Sequence, residues 1–129
     1  MQRGLAAIAS AACLFVSACA QPAPPLGLLD VTARPAEHDL LLGLRAYDDA
    51  QYEAARRLFG RALAQGLVSP ADRAEAHKRL AFIDCAAGRL AECEAEFRLA
   101  RQADGHFVLS PSEAGHPVWG PVYRKVVPN

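Results

Sequence analysis

The sequence lacks a surplus of charge of either sign, because 14 lysine and arginine residues balance 14 aspartate and glutamate residues. A near-neutral chain does not attract the phosphate backbone electrostatically, so no nucleic-acid partner is expected. The sequence also has only a short apolar run near its N-terminus, from Leu5 to Val16. A bilayer-spanning helix needs about 20 apolar residues, so we do not expect this run to be a membrane span.

Recognisable catalytic motifs are missing as well. There is no Ser/His/Asp or Cys/His arrangement of known spacing, no glycine-rich phosphate loop and no metalloprotease helix. His77, His106 and His116 match no familiar zinc-binding spacing. His77 and Cys85 lie eight residues apart on one predicted helix. That spacing separates them by about 12 Å along the axis, too far for direct proton transfer. We therefore predict no enzymatic activity, no metal, no non-covalent cofactor and no small-molecule substrate.

The N-terminus carries a targeting signal instead. A basic Arg3 and the apolar run are followed by Val16-Ser17-Ala18-Cys19. This order resembles a bacterial lipoprotein signal in residues 1–18. The resemblance implies cleavage before Cys19, diacylglycerol on its sulfur and a further fatty acid, such as palmitate, on its amine. The alternative is an ordinary signal peptide, with Cys19 incidental.

Lipidation would decide where the protein works. Two or more acyl chains hold a protein stably at a membrane. The next residue is Ala20, and by resemblance to enterobacterial sorting signals the absence of aspartate there favours the outer membrane, on its periplasmic side. Residues 19–35 are punctuated by prolines and have no helical period, which predicts a tether. Sixteen steps from Cys19 to Pro35 would reach about 50 Å in polyproline II form.

Residues 36–127 are predicted to form one all-α domain, because apolar residues recur there at helical spacing. Gly66 is placed to end a helix as a left-handed C-cap, and Ser69-Pro70 supplies an N-cap and a first helical residue. The predicted helices cover about 36–48, 52–65, 70–87 and 90–103.

These four helices pair into an internal repeat with tetratricopeptide spacing, which predicts two tetratricopeptide-like helical hairpins. The first repeat carries Leu42-Gly43, Tyr52, Ala55, Phe59 and Ala62, and the second carries Leu80-Ala81, Gly88, Leu90, Phe97 and Ala100. Asp39 stands where an aromatic residue is expected early in the first repeat. Cys93 stands where the second repeat should have a small residue.

Two repeats leave an apolar end, so the segment from about residue 105 is predicted to cap the last helix. Ser110 to Glu113 matches a capping box and predicts a short helical turn. A second short helix is expected from about Pro117 to Val126. We expect Trp119 to pack against the domain in preference to serving an interface. His116 is expected to make a local backbone or capping contact, and His106 to be exposed.

Two cysteines are left once Cys13 is removed with the signal and Cys19 carries lipid. Cys85 ends one predicted helix and Cys93 begins its antiparallel partner, in a compartment that permits disulfides. We predict a disulfide between them. The alternative is a pair of small, reduced core residues.

A partner-binding groove is predicted on the concave face, which the first helix of each tetratricopeptide repeat lines. Such a groove accepts an extended segment or a partner helix. Its central predicted residues are Leu40, Leu44, Tyr47, Lys78 and Phe82, and Glu37, Glu75 and Cys85 share the face. In the alternative interpretation the chain's own tail fills the groove, with Val118 or Trp119 as the plug.

The chain as a whole resembles the TssQ family of lipoproteins associated with the type VI secretion system. The resemblance rests on Ala76–Ile83, the two cysteines around Gly88, Glu96-Phe97-Arg98 and the run Glu113–Tyr123. Its most distinctive part is a C-terminal motif of Gly115, His116, Pro117, Trp119, Gly120, Pro121 and Tyr123.

The resemblance implies an accessory lipoprotein that binds proteins of the secretion membrane complex and has no catalytic residues. Two other interpretations stay open from the residues alone. One is an envelope-biogenesis lipoprotein, such as a pilotin or a regulator of cell-wall synthesis. The other is a redox or metal protein.

Overall fold

The computed structural model describes residues 34–127, and these residues form six helices and no strand. The helices are α1 (Pro35–Asp48), α2 (Tyr52–Gln65), α3 (Pro70–Ala86), α4 (Leu90–Ala103), α5 (Pro111–Ala114) and α6 (Gly120–Val126). The predicted all-α class is confirmed. Within this part of the chain no helix is both long enough and apolar enough to cross a membrane. The predicted signal peptide, Cys19 and the tether up to residue 33 lie outside the described residues.

The helix ends follow from local sequence signals. Ser69 caps α3 by accepting a hydrogen bond from the Asp72 backbone N–H at 3.2 Å. Gly66 ends α2 in the left-handed conformation at φ 90°. The predicted capping box is present at α5, because Ser110 Oγ accepts from Glu113 N–H and Glu113 Oε2 accepts from Ser110 N–H. The four long helices consequently begin and end within one residue of their predicted bounds.

Short turns join α1 to α2 and α3 to α4, so each pair is a helical hairpin with a phenylalanine at its centre. Phe59 of α2 and Phe97 of α4 are both 0% exposed and lie 38 positions apart in the sequence. A Cβ atom at Gly43 would lie 2.8 Å from the Phe59 ring, so the missing side chain allows α1 to approach α2 closely. The assignment of these hairpins to the tetratricopeptide class stays a prediction.

Asp39, the departure from the repeat pattern, ties the two helices of the first hairpin together. It is 7% exposed. Arg61 of α2 binds both of its carboxylate oxygens, at 2.8 and 3.1 Å, and Gln65 donates a third hydrogen bond at 2.9 Å. A buried carboxylate is stabilised when it is paired and hydrogen-bonded in this way. An ion pair thus joins α1 to α2 at the position where the predicted repeat pattern expects an aromatic residue.

A second buried carboxylate links the two hairpins. Asp84 of α3 is 0% exposed. Its Oδ1 accepts hydrogen bonds from Arg56 of α2 and from Arg89 of the α3–α4 turn, both at 2.9 Å. Removing one partner from such a buried pair is strongly destabilising, because the remaining charge is left uncompensated. Asp84 therefore fixes the position of the second hairpin relative to the first.

The predicted disulfide is present where α3 meets α4. The sulfur atoms of Cys85 and Cys93 are bonded, and their Cα atoms lie 5.1 Å apart. The two residues are 3% and 0% exposed, respectively. The bridge therefore lies within the hydrophobic core of the second hairpin.

The C-terminal segment covers α4, as a capping segment should. Phe107, Leu109, Tyr123 and Val127 are buried in the same cluster as Phe97. The Tyr123 ring meets the Phe97 ring edge-on at 5.4 Å, and its hydroxyl accepts a hydrogen bond from the Leu109 backbone N–H at 3.1 Å. The tail thus has a fixed path across the last helix.

The second short helix begins later than predicted. Residues 117–119 form a turn closed by a hydrogen bond from Gly120 N–H to the His116 carbonyl, and α6 starts only at Gly120. A Cβ atom at Gly120 would lie 2.4 Å from the Ala114 carbonyl oxygen. The Gly120 backbone therefore packs directly against the end of α5, where a residue with a side chain would not fit.

Candidate functional site

Trp119 is the centre of a stack of three rings on the surface of α3. Its indole lies on the Phe82 ring, with centroids 4.2 Å apart and planes inclined by 20°. The His116 ring covers the other face at 3.4 Å and 3°. Trp119 Nε1 donates a hydrogen bond to the Glu113 carbonyl at 2.9 Å. These contacts are those expected of a packing residue, and they place the tail over α3.

His116 makes the local contact that the sequence predicted. Its Nδ1 accepts a hydrogen bond from the Val118 backbone N–H at 3.2 Å. The contact holds the ring flat on Trp119. His106 is exposed, as expected.

Much of the predicted partner-binding groove is internal. Leu40, Phe82 and Cys85 are 6%, 3% and 3% exposed, so they offer no surface to a partner. Leu40 belongs to the core of the first hairpin, and the Trp119 ring covers Phe82. For these three residues the groove prediction is corrected. At Phe82 the structure has the alternative arrangement, in which the tail fills the groove.

Lys78 likewise makes its contacts within the domain. Its Nζ lies 3.0 Å from Glu113 Oε1 on the tail and 2.8 Å from Glu75 Oε2 on its own helix. The ammonium group also lies 5.9 Å from the centre of the Phe82 ring, within range of a cation–π interaction. Lys78 therefore anchors the tail to α3, which is a different role from the predicted contact with a partner.

The residues of the C-terminal motif shape the tail. Gly115 caps α5, and Pro117 lies in the exposed turn that follows. Pro121 occupies the first turn of α6, and Tyr123 is buried against α4. This arrangement presents His116, Val118 and Trp119 together on one side of the tail, where they border an open cleft.

A cleft of about 850 Å³ remains between the tail, the second half of α3 and the turn from α1 to α2. We call it the aromatic cleft. The Tyr47 and Tyr52 rings form one wall and meet edge-to-face at 5.5 Å. The tail forms the other wall. The lining residues are Tyr47, Ala50, Gln51, Tyr52, Glu53, Ala54, Phe82, Ile83, Ala86, Ala87, His116, Val118 and Trp119.

Some apolar and aromatic side chains of the cleft are partly exposed to solvent. Tyr52 is 49% exposed and Val118 is 43% exposed, one on each wall. Glu53 is the one acidic residue in the lining, and no lysine or arginine lines it within the described part of the chain. Leu44, a predicted groove residue, is half-buried elsewhere in the first hairpin core and does not line the cleft. The cleft therefore suits an apolar, uncharged ligand segment.

Tyr47 supplies a hydroxyl that stays protonated. Burial raises its pKa above the ordinary value of 10.0 and outweighs the opposing effect of the Arg79 guanidinium. Arg79 lies 4.8 Å from the centre of the Tyr47 ring and is held by Glu75 through a 2.7 Å hydrogen bond. Tyr47 is thus a rigid member of the wall, and it was also predicted as a groove residue.

The wall residue Tyr52 is positioned by an unusual turn. Ala50 adopts the left-handed conformation at φ 58°, while its N–H binds the Tyr47 carbonyl and the Gln51 N–H binds the Ala46 carbonyl. This is the hydrogen-bond pattern of a helix C-terminus that usually has glycine at the left-handed position. The sequence predicts Tyr52 only as a position of the repeat pattern, and its place in the structure identifies it as a cleft residue.

No metal site is apparent in the same region. Among residues 34–127 no three histidine, cysteine, aspartate or glutamate side chains converge as metal ligands would.

No family model, curated protein or solved structure matches the chain. The functional interpretation therefore depends on the residues themselves.

Proposed function

We propose that the protein is a lipid-anchored adaptor of the periplasmic face of the outer membrane, which binds a protein partner through the aromatic cleft. The observation that carries the proposal is the cleft itself, which is lined mostly by apolar and aromatic residues and includes the partly exposed Tyr52 and Val118. Tyrosine and tryptophan are enriched where protein partners bind, because they bury large areas at low conformational cost. The tail fixes one wall through the Trp119 stack, so the site is largely preformed.

The resemblance of the motifs extends the proposal to an accessory component of a type VI secretion system. On this view the partner belongs to the secretion membrane complex, and the protein contributes by position and binding without catalysis. The sequence of residues 16–19 supports membrane attachment, and the proline-rich residues that follow support a domain held away from the bilayer.

Site-specific photocrosslinking in secreting cells tests the docking surface. A photoreactive amino acid would replace Tyr52 or Val118 in the full-length acylated protein. Val68 is the matched control, because it is 70% exposed and lies in the α2–α3 connection outside the cleft. Adducts with a secretion-complex protein at Tyr52 and Val118, and not at Val68, are expected.

Other outcomes reject parts of the proposal. Adducts with a secretin or a peptidoglycan synthase would transfer the protein to the pilotin or cell-wall regulator class. Equal adducts at Val68 and at the cleft positions, or none at any of them, would overturn the cleft as the docking site of a protein partner.

The anchor has its own test. Cys19→Ser should move the protein from the membrane fraction to the soluble periplasmic fraction. Ala20→Asp should keep it acylated and shift it from the outer to the inner membrane. If Cys19→Ser left the distribution unchanged, the lipid anchor would be rejected while the cleft proposal stood.

A further inference from the structure

We infer that the aromatic cleft is a site for an extended proline-rich segment, and that residues 21–25 of this chain are its resident ligand. The inference rests on the proposed function, because it takes the aromatic cleft to be a binding surface. The segment reads Gln21-Pro22-Ala23-Pro24-Pro25. It lies outside the described residues, and it holds three of the nine prolines of the chain.

The chemistry of the cleft matches this ligand. Polyproline II segments dock in aromatic-lined grooves, where ring faces pack on the pyrrolidine rings and little conformational entropy is lost. Proline has no N–H, so such a ligand offers mainly carbonyl acceptors. The Tyr47 and Tyr52 hydroxyls are donors on one wall, and the Gln51 carboxamide lies beside them. The cleft thus combines apolar faces with donors.

The charges of the segment and of the cleft lining are also compatible. Residues 21–25 carry no charged side chain, and the lining has a single acidic residue, Glu53, which is exposed. Docking therefore buries no charge on the ligand and leaves Glu53 in contact with water. A segment rich in acidic residues would place like charges beside Glu53, and burying an unpaired charge is costly.

The segment is long enough to reach the site. Pro25 precedes Arg34 by nine residues, which span about 28 Å in polyproline II form. The cleft lies at the C-terminal end of α1, whose 14 residues extend about 21 Å from Arg34. The chain can therefore run back along α1 and bring residues 21–25 to the aromatic cleft of the same molecule.

Self-docking would change how the domain sits at the membrane. Pro22 follows Cys19 by three residues, so a docked segment places the anchor within about 10 Å of the cleft. A short flexible connection gives an effective concentration in the millimolar range, so even a weak contact is partly occupied. A partner that enters the cleft would displace the segment and release the domain from the bilayer surface.

The single tryptophan of the chain, Trp119, reports occupancy directly because it lines the cleft. The full mature chain with Cys19→Ser would be compared with the same chain carrying Pro22→Ser, Pro24→Ser and Pro25→Ser. Loss of docking should raise acrylamide quenching of Trp119 by about twofold if the millimolar effective concentration leaves roughly half the molecules docked. Equal quenching in the two proteins would overturn the inference.

A synthetic peptide of residues 20–27 gives the second measurement. Added to the triple-serine chain, it should restore protection of Trp119 with a dissociation constant of about 1 mM, the scale set by effective concentration. Tyr52→Ala should abolish this binding, and Val68→Ala should leave it unchanged. Protection that rises with protein concentration would mean docking in a second copy and would overturn the intramolecular assignment.

The two proposals fail separately. If the peptide does not bind while crosslinks at Tyr52 and Val118 still capture a partner, the resident ligand is rejected and the adaptor function stands. If the peptide binds and no partner is captured, the adaptor function is rejected and the cleft remains a self-docking site.

Discussion

The indole ring of Trp119 lies on the phenyl ring of Phe82 with centroids 4.2 Å apart. Phe82 belongs to α3, and Trp119 lies in the turn before α6, so this contact joins the C-terminal tail to the second hairpin. It also closes the Phe82 end of the predicted groove and forms one wall of the aromatic cleft. One pair of rings therefore sets both the stability of the tail and the shape of the candidate site.

Replacing Trp119 with alanine should lower the free energy of unfolding by about 3 kcal/mol, because a large packed ring is lost. Its hydrogen bond to the Glu113 carbonyl is lost with it. Urea unfolding followed by far-ultraviolet circular dichroism measures the effect. Val118→Ala is the control, since Val118 is 43% exposed and its truncation should cost less than about 0.5 kcal/mol. Equal losses in the two variants would contradict the packing role.

The disulfide should contribute about 2.5 kcal/mol, because chain-entropy estimates for so short a closed loop fall slightly below those for longer ones. The bridge joins positions eight residues apart. Cys85→Ala combined with Cys93→Ala should lower the urea midpoint, and reduction of the unmodified protein should lower it equally. The double variant itself should not respond to the reductant. An unmodified protein with the same midpoint in both redox states would refute the contribution.

Ala50→Gly should raise the free energy of unfolding by about 0.5 kcal/mol, because an L-residue in the left-handed conformation costs about 1 kcal/mol and glycine's extra unfolded-state entropy offsets part of it. The reverse change, Gly88→Ala, is the matched variant. Gly88 follows α3 at φ 76° and lies 38 residues after Ala50, so Gly88→Ala should lower the free energy of unfolding by about 0.5 kcal/mol. Thermal unfolding of both variants checks the pair, and changes of the same sign would be inconsistent with it.

Lowering the pH should destabilise the attachment of the tail, because Glu113 becomes protonated. Burial alone would raise its pKa, but hydrogen bonds from Ser110 and Lys78 outweigh burial and lower the pKa below the ordinary value of 4.5. A lowered pKa in the folded state gives stability that is present above pH 4.5 and is lost as the pH falls through the folded value. With solvent screening, we expect a contribution of at most about 1 kcal/mol.

The measurement compares the unmodified protein with Glu113→Gln between pH 7 and pH 3. Their difference in unfolding free energy should be largest near pH 7 and should shrink below pH 4.5. The comparison is needed because Asp72 acts in the opposite direction. Burial, with Glu37 and Glu75 nearby, raises its pKa, so its protonation stabilises the fold as the pH falls. A difference that stays constant with pH would count against the Glu113 assignment.

The helix bounds could be predicted because their signals are local. Ser69 and Pro70 start α3 within four residues of the Gly66 that ends α2, and the Ser110 capping box is complete within three residues. The disulfide was also predictable, since the turn at Gly88 brings two antiparallel helix ends together. In each case the deciding contacts join residues close in the sequence.

The contacts that define the site were not predictable in this way. Lys78 meets Glu113 across 35 positions, and Asp84 meets Arg56 across 28. Repeat spacing placed Lys78 on an exposed concave face, but the tail brings a carboxylate to it and converts it into an internal anchor. Tyr52 became a cleft residue because the Ala50 turn leaves its ring half exposed. Such outcomes depend on tertiary packing that no local pattern encodes.

The buried tail residues Phe107, Leu109 and Tyr123 also give the hairpin array a direction. They cover the apolar surface of α4, so a further hairpin could pack there after residue 103 only if it displaced the C-terminal segment of the chain. At the other end, Leu41 and Leu42 of α1 stay 45% and 37% exposed. Among residues 34–127, a capping segment covers the α4 end of the array, and on that side the chain that follows the second hairpin limits the array to two hairpins.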